Sequence, residues 1–207
     1  MNWEPGTDGI SRRQALGMMA AVPAALVLEG DVVWRAARAA SQALAARAAT
    51  GQEYAPEFFT PEEWGDLRAL VDLIIPRDER SGSATDAGVP EFIDFVMIDR
   101  PATQEPMRMG LAWLDRETRR RHGRPFAECD VAQQTAILDD IAWPSRAPAE
   151  MADGVGFFNI VRDHTASAFW PSRIGVEDIG YMGNVAVPEW RGCPEEALRR
   201  LGVSYEA

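Results

Sequence analysis

The feature that most narrows the fold is a helical register of apolar residues that recurs along the chain, with no segment of sustained two-residue alternation. Its clearest instance opens at Thr60-Pro61-Glu62-Glu63, a capping box with proline at the first helical position. Trp64, Leu67, Leu70, Val71, Ile74 and Ile75 then share one face until Pro76 stops the helix. Phe92, Phe95 and Val96 mark a shorter helix after Pro90, ending at Asp99-Arg100-Pro101. Met107, Leu111, Leu114 and Thr118 predict a helix from about Gln104 to His122, with Gly123 as its stop. Asp130 caps another, with Gln133 at the third position and Ile137, Leu138 and Ile141 on its apolar side until Trp143-Pro144. Phe157, Phe158, Val161, Thr165 and Phe169 place a further helix near Val155 to Phe169. Beyond it, Pro171 to Trp190 reads as extended coil with tight turns, and a last short helix covers Glu195 to Arg200 before Gly202. The expectation is an all-α domain of five or six helices with a long irregular C-terminal segment.

A different signal precedes that domain. Ser11-Arg12-Arg13 stands before a run from Gln14 to Leu28 that carries no charge. The apolar part is shorter than the roughly 18 residues of a membrane span, and Glu29 and Asp31 close it. Paired arginines, apolar core and order together read as a twin-arginine export signal helix. No large apolar residue follows the arginines at Gln14-Ala15, and no small-x-small site lies just after Leu28, so the sequence fixes no cleavage point. Val32 to Ala49 is alanine-rich and predicted helical. The expected division is 1–50 for signal and linker helix, and 51–207 for the helical domain.

The chemistry-bearing residues are few. All 21 basic residues are arginine, which excludes a Schiff-base lysine and a phosphate-loop lysine. A net charge of -11 disfavours a nucleic-acid surface. No Gly-x-Gly-x-x-Gly follows a strand, and Cys-x-x-Cys-His, Gly-x-Ser-x-Gly and His-Glu-x-x-His are all missing. Cys129 and Cys193 have no metal-site spacing, and they can pair with each other, pair with another chain or stay reduced. His164 follows Arg162 and Asp163, but sequence neighbours on a helix point about 100° apart, so it reads as structural rather than as an acid or base. Arg119, Arg120, Arg121 and Arg124 read as cations at a helix C-terminus in preference to a docking patch. No catalytic, cofactor-binding or metal-binding residue is assigned.

The C-terminal third is the unusual part. Trp170, Tyr181, Trp190 and Tyr205 stand among glycines and prolines, where no helix of their own would bury them. Aromatics held on coil either pack back onto the core or face another protein, and because a coil of some twenty residues in a compact domain is uncommon unless it functions, a contact surface is favoured.

Phe59-Thr60-Pro61-Glu62-Glu63-Trp64, Ile74-Ile75-Pro76-Arg77-Asp78, Ala87-Gly88-Val89-Pro90-Glu91-Phe92-Ile93-Asp94, the stretch from Ile174 to Asn184, and Pro188-Glu189-Trp190-Arg191-Gly192-Cys193-Pro194 together resemble the gluconate 2-dehydrogenase subunit 3 family. The likeness runs from about Phe58 to Tyr205, and Gly180-Tyr181-Met182-Gly183-Asn184 is its most specific piece. It implies a small subunit without an active site, belonging to an exported dehydrogenase of sugars, sugar acids or polyols. The FAD would sit in a large flavoprotein subunit of the glucose-methanol-choline type, often joined by a cytochrome c subunit with haem c. The small chain would supply the twin-arginine signal through Arg12 and Arg13, stabilise the large subunit, and reside in the periplasm or on the outer face of the cytoplasmic membrane. Membrane association would come only through the complex or an uncleaved signal. Under this resemblance Trp170, Tyr181, Gly183, Asn184 and Trp190 would contact the partner. Cys193 would be the candidate for an intersubunit disulfide, with Cys129 reduced and buried. A free-standing extracytoplasmic helical binding module is the alternative.

Overall fold

A computed structural model describes residues 32–51, 53–181, 183 and 192–205, and the described residues form helices and no strands. Helix α1 covers 32–50. It is followed by α2 (Pro61–Ile74), α3 (Val89–Asp99), α4 (Gln104–His122), α5 (Val131–Ile141), α6 (Ala152–Phe169), α7 (Arg173–Asp178) and α8 (Glu195–Leu201). Single 3-10 turns at Pro101–Thr103, Phe126–Glu128 and Ala149–Met151 lead into α4, α5 and α6.

Both capping boxes form as their sequences dictate. Thr60 Oγ1 accepts from the Glu63 N–H while the Glu63 carboxylate accepts from the Thr60 N–H at 2.9 Å. Asp130 and Gln133 repeat the exchange at the start of α5. Gly123 ends α4 with φ 70°, the left-handed conformation that glycine adopts without strain.

Helix α3 is the centre of the bundle. The face expected from Phe92, Phe95 and Val96 understates it, because every residue from Val89 to Met97 is buried except Phe95, which is half-buried. A helix enclosed on all sides has no single apolar stripe to read. Its polar residues are therefore internal. Asp94 is fully buried, and its carboxylate accepts from Tyr54 Oη at 2.8 Å and from the N–H groups of Glu57, Phe58 and Phe59. One side chain thus satisfies the backbone of the extended segment before α2. Burial, with the hydrogen bond to Asp94 second, drives the Tyr54 hydroxyl well above its ordinary pKa.

Helix α1 lies antiparallel to α3. Val32, Ala36 and Ala40, each one turn apart, are buried, and Ala36 and Ala40 belong to the core. Near its start Arg35 Nη1 pairs with Asp99 at 3.0 Å. Near its far end Leu44 stands against Gly88, where an added Cβ would come 2.9 Å from Leu44 Cδ1. Helices α4 and α6 pack most closely through two glycines. A Cβ on Gly110 would fall within the Phe157 ring, and one on Gly154 within the indole of Trp113. Large rings of one helix therefore fill notches in the other.

Candidate partner interface

Chain order carries α6 straight into the surface singled out by the C-terminal aromatics. Phe169 is fully buried, and Trp170, the next residue, is 43% exposed, its ring edge-to-face with Phe169 at 5.1 Å. The stretch read as coil from Pro171 onward in fact begins with a helix. Ser172 caps α7 by accepting from the Gly175 N–H at 3.0 Å. Gly175 lets this helix fold back on α6, since a Cβ there would overlap the Phe169 carbonyl oxygen. Six residues are too few for apolar periodicity to register, which is why the sequence reads as coil.

Gly180, at φ 64°, reverses the chain after α7, and the Tyr181 N–H returns to the Val176 carbonyl at 3.1 Å. Ile179 and Tyr181 are left exposed, Tyr181 at 55%. The long loop after α2 braces this end. Asp78 accepts from the N–H groups of Arg80 and Ser81, both at 2.8 Å, and these bonds hold its carboxyl below the ordinary carboxylate pKa. Arg80, so positioned, donates to the Asp178 carbonyl at 2.5 Å. Sequence reasoning missed this tie, although the acidic residue two positions before Arg80 is a recognisable turn former.

Gly183 is described with φ 79°, whereas Asn184 and Trp190 lie outside the described residues, as do Arg12 and Arg13. Cys193 is exposed and unpaired within the chain. Its N–H donates to Tyr205 Oη at 2.7 Å, across Gly192 at φ 87°. Helix α8 buries no residue, and its last residue Leu201 is exposed, as are Val203 and Tyr205 after it. Cys129 is buried and unpaired within the chain, and desolvation raises its thiol pKa.

Two further surfaces were not legible in the sequence. A cavity of about 480 Å³ opens between the ends of α2, α5 and α6, lined by Leu73, Ile74, Leu138, Phe158 and the exposed Trp143. A second, of about 520 Å³, runs between α4 and α6 past Met109, Trp113 and Gly156. It adjoins a smaller one of about 300 Å³ at Thr103 and His164, with Pro106 and Ile160 lining both.

The titratable candidates are engaged elsewhere. Burial lowers the His164 pKa, the Arg100 charge lowers it further, and Asp163 is paired with Arg162 at 2.8 Å. The arginines at the end of α4 do not form an open cationic patch. Arg119 pairs with Asp115, Arg120 with Glu117, and Arg121 with both Glu117 and Asp140. Hydrogen bonding from Arg120, followed by burial acting in the opposite sense, leaves the Glu117 carboxyl lowered to about 2.

Comparison with known proteins returns one relationship. No curated protein and no solved structure matches the chain. The model of the family described as gluconate 2-dehydrogenase subunit 3 matches residues 61–188, from the first residue of α2 through α7. With that match covering more than half of an all-α chain, the protein belongs to the gluconate 2-dehydrogenase subunit 3 family.

Proposed function

We propose that this chain is the non-catalytic small subunit of an exported FAD-dependent dehydrogenase of sugars, sugar acids or polyols. It carries the twin-arginine signal for the complex and steadies the catalytic flavoprotein subunit by gripping its surface. The observation that carries the reading is the exposure of Trp170, Ile179 and Tyr181 on a framework fixed by Gly175 and the Arg80 tie. Rigidly held aromatics lose little rotamer freedom on burial, which is the property of interface anchors. Asn184, at the end of the same stretch, and Trp190, in the motif that follows it, take the same role. Cys193 is exposed and free, and in an oxidising compartment it would form a disulfide with the large subunit. FAD then belongs to the partner, and haem c, in a complex that includes a cytochrome, to a third subunit.

The test is co-expression with a glucose-methanol-choline type flavoprotein subunit of the same host. The expected product is a stable complex with flavin absorbance, whose two chains run together on a non-reducing gel and separate after reduction. Replacing both Trp170 and Tyr181 by alanine should weaken it by about 30-fold or more, the scale of one strong interface anchor. Oxidation of a sugar by the purified chain alone would overturn the reading. So would a stable monomer indifferent to the flavoprotein, the behaviour of a free-standing binding module.

A further inference from the structure

We propose that Trp64 and Tyr54 form a one-electron relay, in which an oxidising equivalent taken up by Trp64 from an oxygen-derived radical ends as a neutral radical on Tyr54, with Asp94 receiving the phenol proton. The relay belongs to this chain alone and goes beyond the subunit role given above, so either can fail without the other.

The first argument is the proton. A phenol gives up an electron readily at neutral pH only when its proton leaves at the same time, so it needs a base already in place. Tyr54 Oη donates at 2.8 Å to Oδ2 of Asp94, a fully buried carboxylate. The N–H groups of Glu57, Phe58 and Phe59 occupy its other acceptor sites at 2.9, 3.0 and 3.3 Å and hold it in one orientation. Burial, followed by the hydrogen bond to Asp94, keeps the Tyr54 hydroxyl protonated at neutral pH, so the proton is there to move. Tyr181 and Tyr205 are exposed by contrast, and the Tyr205 hydroxyl oxygen accepts from the Cys193 N–H.

The second argument is the electron path. The Tyr54 and Trp64 rings lie 5.6 Å apart between centroids, within direct aromatic contact, and Trp64 is only partly buried against the core, which opens it to an oxidant at the surface. The frame around the pair is fixed. Trp64 follows the capping box of α2, and Arg108 clamps the intervening segment by donating to the Glu63 carboxylate and to the Phe58 carbonyl, each at 2.8 Å, with its guanidinium 4.2 Å from the centre of the Phe58 ring. Groups held in place beforehand need little reorganisation when charge moves.

The step balances within these three side chains and one oxidant. The oxygen-derived radical takes one electron from the Trp64 indole and leaves a radical cation. One electron from the Tyr54 ring refills it, the Tyr54 O–H bond breaks, and an O–H bond forms on Asp94 Oδ2. A reductant of the ascorbate class, which releases its own proton to water, then returns one electron to Tyr54 as the proton goes back from Asp94. The relay thereby collects oxidising equivalents on one half-buried ring until they are discharged.

The test uses the full chain alone. The oxidant probe is tris(bipyridine)ruthenium(III), generated by a laser flash with a cobalt(III) ammine as electron sink, and the radicals are followed by transient absorption. The expected course is a tryptophan radical cation that decays into a neutral tyrosyl radical. A nitroso spin trap should label Tyr54, within the tryptic peptide 48–68, more heavily than Tyr181 or Tyr205. Tyr54→Phe keeps the ring contact and should lose most of the tyrosyl signal, while the tryptophan radical lives about tenfold longer. Trp64→Phe should slow the appearance of the tyrosyl radical by about tenfold. Because Asp94 also holds the backbone before α2, its part is read in the natural chain: the tyrosyl radical should form more slowly in deuterium oxide and at a rate independent of buffer concentration. Labelling confined to Tyr181 and Tyr205 would overturn the proposal, as would a tyrosyl yield undiminished in folded Tyr54→Phe. A rate that climbs with buffer base would send the proton to solvent, and an unchanged rate in Trp64→Phe would remove the relay; either result overturns it equally.

Discussion

Asp66 sits in α2 with its carboxylate enclosed, accepting from the Ala127 N–H at 2.8 Å. Burial is the largest influence and lifts its pKa from 3.8 to about 6; the Ala127 hydrogen bond and the Arg119 charge oppose that shift, while Asp115 and Glu62 reinforce it. Because the folded pKa exceeds the unfolded one, the protonated carboxyl stabilises the fold fully below pH 3.8, and this contribution is lost as pH rises to about 6. Glu91 on α3 is shifted in the same direction, again chiefly by burial, and adds to the trend. Asp66→Asn keeps an acceptor for Ala127 and has nothing to ionise. Urea denaturation at steps between pH 4 and pH 7 should therefore show a shallower fall in stability for the variant than for the natural chain. Equal slopes would mean that Asp66 is ionised without penalty in the fold. The acidic character of these positions is plain in the sequence, but their burial is not, since the partners of Asp94 lie 35 to 40 positions away and no local pattern announces them.

Among the elements, the features with local causes were legible. Capping boxes at Thr60 and Asp130, and the stop at Gly123, depend on residues within one turn of each other, and the helices begin and end there. Contacts that join distant elements were not, the Arg80 link to Asp178 spanning 98 positions. Glycines within helices show the same divide. From the sequence Gly110, Gly154 and Gly156 are alike, each costing about 1 kcal/mol against alanine. The packing separates them, because the first two admit the rings of Phe157 and Trp113 while the third faces open space. Gly156→Ala should raise stability by up to about 1 kcal/mol through helix propensity and a less free unfolded chain. Gly110→Ala and Gly154→Ala should each lower it by about 1–3 kcal/mol, the cost of overpacking a filled core. Denaturant midpoints of the three variants rank them directly, and a Gly156→Ala as damaging as its neighbours would contradict this packing.

At the scale of the whole molecule the question is how firmly the N-terminal region is tied to the domain. Helix α1 is fastened to α3 at both ends, by the Arg35 and Asp99 pair at one and by Leu44 against Gly88 at the other. Between them Ala36 is fully buried, so small side chains rather than large ones make the contact. A seam of alanines gives close approach but little apolar area, and it has no room for a charge. Ala36→Asp would place an unpaired carboxylate in that seam, costing about 3 kcal/mol or more unless the helix lifts away. Lifting is the expected course, because α1 adds only Ala36 and Ala40 to the buried core, whose large side chains all lie outside it. Hydrogen exchange should then show residues 32–50 of Ala36→Asp exchanging as an unstructured chain while α3, α4 and α6 keep most of their protection. Unchanged protection across 32–50 would show that α1 is not seated where Ala36 faces α3. A uniform loss over every helix would instead make α1 part of the cooperative core, and the domain could not fold without it.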